Sequence, residues 1–305
     1  MEIIKYSEWK DTAVVLHLIS QMIGKVKLAR METQPEWNHA LLEVNATGFS
    51  SGLITNGEKS FQINVLIAEN KVETIRIDGR KSSFTLEDGK SISTYYQEFD
   101  NMLYDVMCET EIYSMPQETN ITTLFEKDDQ PRVYDPMKAK SFFEMCVFAY
   151  NVQLNFIARY RNKKILPSFF WGTFDVSCAL FNGIEHSFNA GGIIEKVAFD
   201  EQMVEFGFWP GDDNVEEPTF FILAYPFITN DLTKATIKPD KAYFSPEKSE
   251  FFITLRDIMS YDNPEKALID FYESGFDIII NDAKWSNLEW FTKPLLTSKG
   301  SEALK

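Results

Sequence analysis

The chain has 305 residues, 44% of them hydrophobic and 14% aromatic, with 26 Phe. That supplies a sizeable core for one large domain or two ordinary ones and excludes disorder along its whole length. Its formal charge of −16 repels phosphate backbones, which argues against a nucleic-acid partner.

Residues 7–29 carry Val15, Leu18, Ile19, Met22, Ile23, Val26 and Ala29 on one face at helical spacing. Opposite them stand His17, Gln21 and Lys25 at i, i+4 and i+8. The plain reading of that row is a solvent face. Val14 and Leu28 share it, however, so part of it is expected to be covered, and His17 is then the best-placed acid or base in the chain.

A run of strands comes next: "LLEVNAT", "SFQINVLIA", "KVETIRID" and "SSFTL". Phe61, Ile63, Val65 and Ile67 alternate with Gln62 and Asn64, and "ENK" and "DGRK" are turn signals, so antiparallel hairpins are expected. "GFSSG" (48–52) matches the nucleophile-elbow pattern, yet residues 53–65 read as strand, turn, strand instead of the helix an elbow requires. Residues 91–108 return to helical spacing.

Polar, proline-bearing residues 114–133 read as a linker between a first half, 1–113, and a second, 134–305; the alternative that both pack as one domain stays open. Asp135 and Pro136 start a helix running to about Arg161, with a polar seam of Glu144, Asn151, Asn155 and Arg159. The seam is either an outlet to water or a lining in which Arg159 clamps an anion. Strands resume at 168–181, 203–209, 219–228 and 251–255, and Asn263 with Pro264 starts another helix. "FDIIINDAKW" is ambiguous by propensity.

In "SFFWGTFDV" (168–176), Gly172 interrupts a strand, which marks a bulge or a close approach by another group. The Trp171–Gly172 corner, with Asp175 nearby, is the special part, and the surrounding aromatic strands are expected to bend around a hollow. The acidic run after "GFWPG" (207–211) matches no calcium loop, and three scattered cysteines and three His form no zinc cluster, so no metal or cofactor is expected. Widely spaced cysteines, no leader-like N-terminus and no apolar run of spanning length suggest a cytoplasmic protein without membrane contact.

Taken in order, "WKDTAVVLHLISQMIGKVKLA", "YDP", "SFFWGTFDV", "GFWPG", "FILAYPF" and "YFSPEKSEF" resemble an uncharacterised bacterial family, catalogued as domain of unknown function 5996, over nearly the whole chain. The resemblance implies a single full-length member, with Phe276 to Trp285 continuing as helix. Family members often carry a His before the Phe-Phe-Trp-Gly run; Ser168 stands there, so a role for that His is not carried over. The resemblance implies no activity.

The expected fold is α+β: largely antiparallel sheets covered by long amphipathic helices, whose order hints at a duplicated helix–sheet–helix unit. Two functional readings are open. One is a binding or interaction protein for a small molecule or peptide, with Gln21, Lys25, Arg159, Trp171, Trp209 and Tyr225 as ligand-binding candidates. The other is an enzyme using His17 or a carboxylate such as Asp175 as acid/base, with Lys25 or Arg159 holding an anionic substrate.

Overall fold

The computed structural model describes residues 1–295. The helical spacing of the first segment becomes α1 (Lys10–Arg30), and its stripe from Val15 to Val26 is fully buried. Five strands succeed it: β1 (Glu43–Val44), β2 (Gly48–Ser50), β3 (Phe61–Leu66), β4 (Lys71–Arg76) and β5 (Lys81–Thr85). They form an antiparallel meander in the order β1-β2-β3-β4-β5. Two expected turns carry its reversals: Asn70 adopts φ 50° before β4, and Gly79 adopts φ 87° while donating to the Arg76 carbonyl at 2.9 Å. α2 (Ile92–Asp105) buries Ile92, Tyr95, Phe99, Met102 and Leu103 and is capped by Ser91, which accepts from the Thr94 amide. After "GFSSG" the next regular element is β3, so Ser50 lacks an elbow's helix; its buried oxygen accepts from the Gly52 amide and the Gln62 side chain.

α3 (Pro136–Ile157) starts where expected, with the Asp135 carboxylate accepting from the amides of Met137 and Lys138 at 2.8 and 3.3 Å. It stops short of Arg161 because Lys164 donates to the carbonyls of Ile157 and Tyr160, satisfying helix-end acceptors. β6 (Lys164–Phe170) and β7 (Asp175–Glu185) replace the single strand expected at 168–181. The chain reverses at 171–174, where Phe174 adopts φ 63° and its amide donates to Phe170 at 2.8 Å. α4 (Ile193–Ala198), β8 (Glu201–Trp209), β9 (Thr219–Tyr225), β10 (Tyr243–Ser245), β11 (Glu250–Thr254), α5 (Leu255–Ile258), α6 (Pro264–Asp282) and α7 (Leu288–Phe291) complete the order. The second sheet runs β10-β11-β9-β8-β7-β6. Two antiparallel sheets with long helices make the protein α+β.

By packing, the chain divides into two compact units. The first comprises 1–149, 168–176 and 208–219; the second comprises 150–167, 177–207 and 220 onward. Residues 114–133 belong to the first unit.

In the second unit, Gly275 lets α6 approach β9 closely: a Cβ there would lie 2.2 Å from Ile222 Cδ1. The helix is capped by Asn263, whose side chain accepts from the Lys266 amide at 3.0 Å. Asn263→Ala is expected to cost about 1 kcal/mol, read as a lower denaturant midpoint at unchanged slope. α6 absorbs the ambiguous segment but ends at Asp282, three residues before Trp285, which is buried with its ring 5.7 Å from Phe276.

α1 is the one described helix long and apolar enough to cross a membrane by composition, and 78% of its apolar window is buried inside the fold, as for a core helix.

Candidate functional site

α1 carries the row at its middle. His17, Gln21 and Lys25 stand four residues apart and so stack along one face. That face is largely covered: Gln21 is 0% and Lys25 4% exposed, with His17 half-buried. The cover is the irregular segment around 113–118, ninety residues away in sequence, within the first unit.

Gln21 commits both ends of its amide to one residue of that cover. Its Oε1 accepts the Gln117 amide at 2.9 Å, and its Nε2 donates to the Gln117 carbonyl at 2.7 Å. Lys25 Nζ donates to the Met115 carbonyl at 2.9 Å and to Gln117 Oε1 at 3.0 Å. The ammonium also lies 5.4 Å from the Tyr113 ring centre and 6.0 Å from that of Phe125. Among the described residues it has no carboxylate partner. Burial alone brings its pKa down to about 8.

His17 Nε2 sits 2.9 Å from the Gly172 carbonyl and 3.1 Å from Gln21 Nε2. Gln117 fixes the Gln21 amide so that its NH2 faces the ring. One ring nitrogen cannot both donate to the carbonyl and accept from the amide, so only one contact is a hydrogen bond. We assign Nε2–H to the shorter contact, with Gly172 as acceptor; this leaves Nδ1 with the lone pair. The ring stacks on Phe174 with centroids 4.7 Å apart. Burial lowers its pKa to about 4, against the opposing pull of the Gly172 and Trp171 backbone, so His17 is neutral at pH 7.

The turn that His17 holds is also pinned from the other side of its tryptophan. Trp171 is buried, its indole N–H donates to the Ala40 carbonyl at 2.9 Å, and its ring occupies the space on α1 where Gly24 has no side chain. The close approach expected at Gly172 is made by Glu118: a Cβ on Gly172 would fall 1.8 Å from Glu118 Oε2. Around Phe174 the rings interlock, with Phe142 at 5.0 Å, Phe169 at 5.4 Å and Trp9 at 6.3 Å. Asp175 is buried, accepts a short bond from the Thr173 hydroxyl, and helps push the Cys146 thiol pKa up, after burial.

His17, Gln21, Lys25 and the Trp171–Gly172 corner are thus brought together. Trp209, half-buried at the end of β8, shares none of these contacts. Arg159 and Tyr225 belong to the second unit. Arg159 is exposed and paired with Glu273 at 2.7 Å, so it serves the seam's outlet to water. Tyr225 is buried, and its hydroxyl lies 3.2 Å from His186 Nδ1. Met115 and Gln117 carry no sequence signal: Met115 acts through its backbone oxygen, which any residue carries, and Gln117 adds one side-chain oxygen to its backbone amide and carbonyl in a segment with no period.

These features define an α+β protein with a covered polar row on a core helix. The family model that matches, over residues 2–290, is that of a family of unknown function (DUF5996), and the chain belongs to this family. No curated protein and no solved structure matches it.

Proposed function

We propose that the protein binds a small molecule or peptide bearing an anionic group, at Gln21 and Lys25 of α1, in a reducing, cytoplasmic setting. One observation carries the reading. Lys25 is a buried ammonium held by two neutral oxygens, with no carboxylate among the described residues to balance it. Burying a charge without a counter-ion costs stability, and an incoming carboxylate or phosphate supplies the missing partner. The cover is a natural gate, because its hold on α1 consists of a few hydrogen bonds made by a segment without regular structure. Gln21, released from Gln117, offers an acceptor and a donor side by side, which matches a peptide unit or an amide.

The enzyme alternative has less support. Nε2 of His17 is engaged by a backbone carbonyl and its ring is stacked on Phe174, so its role is to position the 171–174 turn. Three free, buried cysteines suit the reducing setting.

The test is a thermal-shift panel of carboxylates and phosphates against the wild type and Lys25→Met. Met fills the same volume without the charge, so the variant keeps the packing, and relief of the buried charge offsets the donor lost to the Met115 and Gln117 oxygens. At least one anion should raise the wild-type Tm and leave the variant unmoved. A panel without hits, or hits that persist in Lys25→Met, would remove the proposal.

A further inference from the structure

Within the cover, Pro116 is buried, biases Met115 toward extended backbone and has no N–H of its own. The next donor in the chain is the Gln117 amide, which meets Gln21 Oε1 at 2.9 Å while the Gln117 carbonyl accepts from Gln21 Nε2 at 2.7 Å. One residue thus exchanges its N–H and its C=O with one partner, as residues do in a hydrogen-bonded antiparallel pair. The side chain of the same residue turns to the next group along α1, placing Gln117 Oε1 3.0 Å from Lys25 Nζ. Gln21 and Lys25 together therefore read the backbone and the side chain of a single residue.

That residue is the neutral isostere of glutamate. Its stem has the length of a glutamate stem and its oxygen stands where a carboxylate oxygen of glutamate stands, but it brings no charge to the ammonium. Gln117 matches the site in shape and leaves it unmatched in charge. The glutamate that the cover does carry, Glu118, is aimed elsewhere: it adopts φ 53°, and its Oε2 lies 1.8 Å from the place of a Cβ on Gly172.

We infer that Gln117 is a built-in stand-in for the ligand, and that the ligand is a glutamyl residue in peptide linkage. Its N–H and C=O replace those of Gln117 on Gln21, and its side-chain carboxylate replaces Gln117 Oε1 on Lys25. The inference rests on the Lys25 reading and adds to it the class of anion and the competitor. Because cover and ligand contend for the same atoms, weakening the cover strengthens the ligand's hold.

Calorimetric titration tests it with three probes: an end-blocked Ala-Ala-Glu-Ala-Ala peptide, its Gln twin, and glutarate. The proteins are the wild type, Gln117→Ala and Gln117→Glu. The Glu peptide is expected to saturate the wild type and to bind roughly tenfold or more tightly than its Gln twin, since only the carboxylate balances Lys25. Gln117→Ala deletes one of the cover's two contacts with Lys25 and should tighten the Glu peptide several-fold. Gln117→Glu brings its own carboxylate to Lys25, so it should melt above the wild type and bind the peptide roughly tenfold or more weakly. Equal affinity for the two peptides, or a Gln117→Glu protein that binds as well as the wild type, would overturn the inference. Glutarate binding without peptide binding would also overturn it, while sparing the Lys25 site. Silence from all three probes and from the wider anion panel would remove both.

Discussion

Gly24→Ala is expected to destabilise the first unit by about 2–4 kcal/mol, although the same change on an exposed helix face would stabilise by up to about 1 kcal/mol. The new methyl would sit 2.2 Å from both Cε2 and Nε1 of Trp171 and 2.4 Å from Cδ1. A rigid indole cannot absorb that by rotating a flexible end. It must slide, and sliding breaks its bond to the Ala40 carbonyl, leaving a buried donor and acceptor unmet, each worth about 1–3 kcal/mol. At roughly 2–4 °C per kcal/mol, thermal unfolding should come several degrees earlier. The cycle with Trp171→Ala should be strongly non-additive, because the second change removes the clash. A stabilised Gly24→Ala protein would mean that the indole does not lie on α1.

The second large effect is with pH. His17 is neutral in the fold with its pKa near 4, whereas the unfolded chain takes up the proton near 6.5. Between those values the unfolded state binds more protons, so stability falls as pH drops from 6.5 to 4 and levels off below. The full loss is on the order of 3 kcal/mol. Gln at this position can still donate to the Gly172 carbonyl but cannot titrate. Urea melts of His17→Gln at pH 7, 6, 5 and 4 should therefore lose less stability across the window than the wild type. His39, also lowered chiefly by burial, adds a smaller slope of the same sign that both proteins retain. Parallel pH profiles would show that His17 is solvated.

Short-range chemistry is legible in the sequence. Asp135 and Asn263 cap the helices whose starts they mark, because a cap needs only its own side chain and the next turn's amides. The meander follows from alternation and from turn residues. The chain order is α1, β1–β5 and α2, then α3, β6, β7, α4, β8–β11, α5 and α6, so the second run of strands is interrupted by a helix that the first run lacks.

The features that leave no local signal depend on distant chain. The His17–Gln21–Lys25 face reads as solvated because nothing nearby announces a cover that arrives ninety residues later and holds on mostly through its backbone, with one oxygen of the Gln117 side chain. The hairpin at 171–174 reads as a strand because its reversal rests on a left-handed Phe174, a conformation that phenylalanine rarely takes and does not signal. Such an outlier beside His17 and the cover is strain of the kind that collects at functional sites.

The proposed site requires Lys25 to be an uncompensated buried ammonium. Its pKa can be measured by NMR on protein with 13C-labelled lysine side chains, assigned by the missing signal in Lys25→Met. A titration near 8 is expected, below the ordinary 10.5, with an upward shift once an anion is bound. A value at 10.5 in the free protein would contradict the proposed site, because the ammonium would then be hydrated or already paired.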